Sequence, residues 1–100
     1  MKLSEQIALE GEAQYFFEYR DKVEGYRLKA HTLFVQLMVK FPDNPLYPHN
    51  LIVLCTEMGD NDEAILYAKV VKSIYEKSET DTTNIDNLID TLNDSLEEEK

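Results

Sequence analysis

The chain is short of the residues that break, bridge or catalyse. Its 100 residues include one cysteine, three glycines and three prolines, and only 10 basic side chains against 20 acidic ones. A lone Cys55 cannot close an internal disulfide, and a small secreted scaffold ordinarily needs several, so a reducing, cytoplasmic compartment is expected. No apolar run approaches the roughly 18 residues of a membrane span. The opening MKLSEQIALEGE has no continuous apolar stretch of signal-peptide length. A formal net charge of -10 repels phosphate backbones and anionic lipid heads, so neither direct nucleic-acid binding nor membrane binding is expected. Motifs for chemistry are also missing: there is no GxSxG, HExxH or CxxC and no glycine-rich phosphate loop. His31, His49 and Cys55 have no metal-ligand spacing, and Cys55 within an apolar helix reads as a small buried hydrophobe. No catalytic residue, metal or cofactor is expected, and the chain reads as a non-enzyme.

What is present is helical periodicity within a length that suits one modest core. Leu9, Ala13, Phe16, Phe17 and Val23 recur at three- and four-residue spacing and predict a long helix between Glu5 and Glu24, ended by Gly25. Leu28, Ala30, Leu33, Phe34, Leu37, Met38 and Phe41 mark a second helix, which completes a hairpin. FPDNPLYP (residues 41–48) holds all three prolines and is expected to interrupt any helix. Leu51, Leu54, Cys55 and Met58 outline a third helix stopping at Gly59. Asp60 or Asn61 can cap a fourth, in which Ala64, Ile65, Tyr67, Ala68, Val71 and Ile74 are the buried candidates. That capping role accounts for the DNDE at residues 60–63 better than calcium does, since Ala64 and Ile65 stand where a calcium loop needs an oxygen ligand and a glycine. Residues 77–84 read as a polar linker, and Thr83 with Asp86 as a capping box. Ile85, Leu88, Ile89, Leu92 and Leu96 then form the apolar stripe of an acidic amphipathic helix over 85–100. The fold class is therefore all-α: two antiparallel hairpins over residues 1–76 and a C-terminal capping helix in the same domain.

Laying residues 11–44 over 45–78 aligns Gly25 with Gly59 and Ala30 with Ala64, 34 positions apart. The same offset pairs Phe17 with Leu51, Leu33 with Tyr67, Phe34 with Ala68 and Leu37 with Val71. MGDNDEAILYAKVV (58–71) resembles the turn and second helix of a tetratricopeptide repeat, and KFPDNP (40–45) resembles that family's repeat boundary. The first helices depart from the family pattern, with Gln14 and Pro48, Glu18 and Ile52, and Asp21 and Cys55 at its aromatic, small-residue and tyrosine positions. The resemblance implies a groove lined by the first helices, which would place Tyr15, Tyr19 and Lys22 beside His49, Val53 and Thr56. Family members that clamp a peptide carboxylate carry lysine, arginine and asparagine there. Tyr15, Tyr19, His49 and Val53 suit an apolar protein segment instead.

Tyr15, Tyr19 and Tyr26 are expected to run along one side of the first hairpin, apart from the face of Ala13, Phe16 and Phe17. Charge is concentrated at the other end. Residues 76–100 hold nine acids and two bases, whereas residues 1–75 hold eleven and eight. Asp86, Asp90 and Asp94, continued by Glu97, Glu98 and Glu99, form a ridge without balancing lysines. Two functions follow as expectations. One is a protein-protein interaction module (an adaptor, scaffold or small chaperone) that binds a protein or peptide segment, or a second copy as a homo-oligomer, through the tyrosine-lined groove. The other is an acidic antagonist that uses the ridge to imitate nucleic-acid charge toward a basic DNA- or RNA-processing protein.

Overall fold

Apolar residues at helical spacing are realised as five helices among the described residues, with no strand. They are α1 (Lys2–Glu18), α2 (Tyr26–Lys40), α3 (Leu46–Glu57), α4 (Asn61–Lys77) and α5 (Thr83–Glu99). The computed structural model describes the backbone of residues 2–99 and the side chains of residues 3–97. By internal contacts the chain divides into two compact units, Met1–Pro42 and Asp43–Lys100.

In the first unit α1 and α2 form an antiparallel hairpin. The Glu5–Lys40 ion pair lies at its open end, and Phe16 and Tyr26 meet edge to face near its turn, ring centroids 4.8 Å apart. Ala13, Ala30, Phe34 and Leu37 are fully buried, and Phe17 packs edge-on against Phe34 at 5.9 Å. The first helix is shorter than its apolar spacing predicts. It stops at Glu18, and residues 19–25 form successive turns. Neither glycine nor proline stops it there. The Arg20 guanidinium donates to the Phe17 carbonyl at 2.7 Å and caps the terminal turn, while Arg27 pairs with Asp21 across the loop. Gly25, with φ +89°, therefore opens α2 as its N-cap and does not close α1.

The proline segment breaks the helices for a shorter stretch than expected. Phe41 closes α2 at φ -130° and ψ 72°, outside the helical region that the ring of a following proline disfavours. Pro45 is the N-cap of α3, and Pro48 lies inside that helix at its third position. The N–H that Pro48 lacks would have had no intrahelical partner in the first turn, so the ring costs no hydrogen bond there.

In the second unit α3 and α4 form a hairpin and α5 packs on α4. Ile52, Cys55, Ala64, Ile65, Ala68, Val71, Ile85 and Leu92 make one buried cluster, flanked by Tyr67, Tyr75, Leu88, Ile89 and Leu96. The apolar stripe of α5 thus covers the free side of α4, which is the capping arrangement its amphipathic spacing predicts. Gly59, at φ +78°, ends α3 in a left-handed turn that residues other than glycine rarely adopt. Asp60 then caps α4, accepting from the Glu63 N–H at 3.1 Å. At the next junction the linker narrows to residues 78–82, because α5 begins at Thr83. The cap differs from the expected Thr83–Asp86 box. Asp81 Oδ1 accepts from the Thr83 N–H (3.0 Å) and hydroxyl (2.6 Å), and Thr82, not Thr83, donates its hydroxyl to Asp86 at 3.0 Å. With two adjacent threonines, the earlier one takes the cap because Asp81 occupies the later.

The offset of 34 residues is preserved in the second helix of each hairpin. Ala30 and Ala64, Phe34 and Ala68, and Leu37 and Val71 are all buried, and Leu33 and Tyr67 are both half-buried. It is not preserved in the first helices, since α1 ends seven residues before Gly25 whereas α3 ends two residues before Gly59.

Candidate interaction surface

The tyrosines of the first unit gather into one aromatic cluster at its turn. Tyr15 lies 5.1 Å from Tyr19 and 5.9 Å from Tyr26, ring centroid to centroid. Phe16 belongs to this cluster as well, meeting Tyr15 edge to face at 5.6 Å, so the expected separation of a tyrosine side from a Phe16 face does not hold. Tyr26 reaches both rings because the turn of residues 19–25 carries the chain back over the end of α1. Lys22 sits with its ammonium 5.7 Å from the Tyr19 ring centre, and Lys29 lies 5.4 Å from Phe16 and 5.5 Å from Tyr26. Cations over aromatic faces at these distances contribute about 0.5–1 kcal/mol each at exposed sites and hold the rings in place.

The cluster is held from below and open above. Tyr15 is 52% exposed and Leu28 63% exposed. The Tyr26 phenol, hydrogen-bonded to Tyr15, raises the Tyr15 pKa above its ordinary value, and the ring stays neutral at physiological pH. Beside it lies a shallow depression of ≈ 390 Å³ bordered by Glu12, Phe16, Leu28, Lys29, Thr32 and Leu33. Lys29 was not anticipated from sequence. Its signal was the spacing of three from Tyr26, which puts both on one side of α2.

Of the remaining expected groove residues, His49, Val53 and Thr56 lie on α3 in the second unit. Val53 and Thr56 are exposed, and the Thr56 hydroxyl turns back onto the Val53 carbonyl at 2.9 Å. His49 is half-buried and its Nε2 is 3.1 Å from the Tyr75 hydroxyl on α4. Burial lowers its pKa below the ordinary 6.5, which keeps the imidazole neutral near pH 7. Together with Tyr75 it forms one wall of a hollow of ≈ 450 Å³ that also includes Asp81 and Asn84. The sequence does not reveal this hollow, because 26 positions separate His49 from Tyr75 and only the hairpin brings them together.

The acidic ridge is shorter than its spacing suggests. Asp86 is half-buried, and its carboxylate is 2.8 Å from the Lys72 ammonium. That ion pair and the Thr82 hydroxyl hold Asp86 below its ordinary pKa, while Lys72 is raised by the same partner. The expectation of a ridge without balancing lysines is thus corrected at its first member, which ties α5 to α4. Asp90, Asp94 and Glu97 are exposed, and the Glu98 and Glu99 side chains lie outside the described residues.

Cys55 is fully buried in the core of the second unit. Burial, reinforced by the Glu63 and Asp60 carboxylates, pushes its thiol up to about 12, so it packs as a hydrophobe and carries no nucleophilic thiolate. Tyr67 beside it is half-buried, and its hydroxyl donates to Glu63 Oε1 at 2.7 Å. Among the described residues no helix is long and apolar enough to cross a membrane. No protein-family model matches the chain, and neither a curated protein nor a solved structure shows a match to it.

Proposed function

We propose that this protein is a non-catalytic protein-protein interaction module, an adaptor, scaffold or small chaperone that captures an apolar protein segment on its aromatic surface. The observation that carries the reading is the exposed Tyr15, braced by Tyr19, Tyr26 and Phe16 and flanked by Lys22 and Lys29. Rigid aromatic rings with cations at their rim are the side chains that most often anchor protein interfaces, because they bury a large area while few rotamers are lost. Exposed Leu28 and the adjoining depression extend the same apolar surface.

The tetratricopeptide-like reading supplies the wider geometry of the proposal. Its support is the burial pattern repeated at 34 residues in α2 and α4, together with the left-handed glycines at 25 and 59. In that reading Tyr15, Tyr19 and Lys22 in the first unit, and His49, Val53 and Thr56 in the second, each contact a partner segment, which is either foreign or part of a second copy. Panning a displayed random-peptide library against the full chain tests it at low and high salt, with native mass measurement for self-association. Enriched peptides should be rich in apolar residues, retain binding at high salt, and lose about tenfold or more in affinity for the double variant Tyr15→Ala, Tyr19→Ala. Equal binding by the double variant refutes the aromatic surface as the site. Selection of basic peptides that release steeply with salt transfers the function to Asp90, Asp94 and Glu97, as the antagonist reading requires.

A further inference from the structure

The hollow at the junction of α3, α4 and α5 shares only His49 with that reading. His49 and Tyr75 form its wall, Ile85 and Leu88 its apolar floor, and Asp81 and Asn84 its rim. Among the described residues that line it, Asp81 alone carries a formal charge. Both hydrogen bonds from Thr83 go to Asp81 Oδ1, at 3.0 and 2.6 Å, which fixes the carboxylate and leaves Oδ2 for a ligand. These bonds also hold Asp81 below the ordinary carboxylate value, and the group remains an anion through the physiological range. The wall adds no opposing charge, because burial keeps His49 neutral and its Nε2 is engaged with the Tyr75 hydroxyl at 3.1 Å. Lys72, the cation of the neighbouring α4 turn, is paired with Asp86 at 2.8 Å.

A fixed anion at the rim of an apolar floor repels anionic ligands and gives a neutral apolar one nothing to pair with Asp81. It favours a cation with an aliphatic body, whose charge replaces lost hydration with an ion pair while its stem covers Ile85 and Leu88. We propose that this hollow binds an alkylammonium group, with its carbon chain along Ile85, Leu88 and the Tyr75 ring and its ammonium on Asp81 Oδ2 and the Asn84 side-chain oxygen. A volume of ≈ 450 Å³ accommodates such a chain together with the atoms that flank it. The lysine side chain of a protein partner and a free diamine both present this chemistry. Neither requires Tyr15 or Tyr19, so the site stands whether or not the aromatic surface binds a peptide.

Amide and histidine-ring NMR titrations of the full chain with cadaverine and with Nα-acetyl-lysine methylamide test the proposal, with n-pentanol and the Nε-acetylated lysine amide as uncharged controls. Saturable shifts confined to residues 80–88 and the His49 ring are expected for the amines and not for the controls. Asp81→Asn, which keeps an oxygen for the Thr83 bonds, should weaken the amines about tenfold or more. Asn84→Lys, which places a resident ammonium beside Asp81, should abolish their binding without altering the far-ultraviolet circular dichroism. Binding of the lysine amide alone assigns the site to a partner's side chain, and binding of cadaverine alone assigns it to a free amine. Undiminished binding by both variants overturns the proposal. So do shifts that pentanol reproduces, or shifts equally large at exposed Asp90 and Asp94.

Discussion

The helices α3 and α4 end in the same hydrogen-bonded turn built on different residues, and the difference has a measurable cost. At the end of α3 the Gly59 N–H donates to the Thr56 carbonyl at 3.1 Å and the Asp60 N–H to the Cys55 carbonyl at 2.8 Å. At the end of α4 the Glu79 N–H donates to Glu76 at 3.2 Å and the Thr80 N–H to Tyr75 at 2.8 Å, the same pairing. Both central residues are left-handed, Gly59 at φ +78° and Glu79 at φ +58°, but only one is a glycine. A side chain in this region costs roughly 1–2 kcal/mol, of which a glycine's greater freedom in the unfolded chain cancels about 0.4–1 kcal/mol. Glu79→Gly should therefore stabilise the second unit by about 0.5–1 kcal/mol, raising its thermal midpoint by about 2–8 °C. Gly59→Ala should cost a similar amount, and cleanly, because a Cβ there meets no atom within 4 Å. Glu79→Ala is the control: it removes a carboxylate from the negative end of α4 but keeps the strained backbone. Urea and thermal unfolding followed by circular dichroism read all three. If Glu79→Gly is no more stable than Glu79→Ala and Gly59→Ala loses nothing, the left-handed turn does not carry the cost assigned to it.

Three further outcomes check the packing and electrostatics of the second unit. Leu92→Ala, which opens the buried contact of α5 with the α4 core, should cost about 2–4 kcal/mol in urea unfolding, whereas Thr91→Ala on the exposed side should be nearly neutral; equal effects would detach α5 from that core. Asp86 has its folded pKa lowered by Lys72 and Thr82, so its contribution is complete above the unfolded value of 3.8 and is lost as pH falls through the folded one. Asp86→Asn should lower the midpoint near neutrality and flatten its acid limb, and an unchanged acid slope would contradict the ion pair. The Cys55 thiol should resist alkylation at pH 8 in the folded chain and react only on unfolding, as measured by mass; rapid modification of the native protein would refute its burial.

The parts of this fold that local chemistry determines were legible, and those that depend on a partner across a helix pair were not. Ala30, Phe34 and Leu37 in α2, and Ala64, Ala68 and Val71 in α4, are buried as their three- and four-residue spacing requires. The capping role of Asp60 likewise follows from a short polar side chain just before a helical run. The end of α1 was illegible because arginine favours helix: only once Arg20 folds back onto the Phe17 carbonyl does it act as a terminator. The like-charge spacing of Asp86, Asp90 and Asp94 concealed that the first faces Lys72, 14 positions earlier on the opposing helix.

The early end of α1 also explains how the aromatic surface arises. Seven residues separate α1 from α2, against three between α3 and α4, although the glycines and alanines keep an offset of 34. A helix continued to Val23 would have carried Tyr19 on around its axis, with Tyr26 beyond a tight glycine turn. With the helix stopped at Glu18, Tyr19 and Lys22 lie in the turn, and Tyr26, in the first residue of α2, packs against both Tyr15 and Phe16. The departure from strict repetition is therefore the step that gathers the rings. A deletion that shortens residues 19–25 to the length of the 58–60 turn should preserve the helical signal but disperse the cluster. In that variant Tyr15 and Tyr26 should lose their mutual nuclear Overhauser contacts, and selected peptides should bind no better than they do to the double tyrosine variant. Retention of both the contacts and the binding would separate the turn from the surface it is held to create.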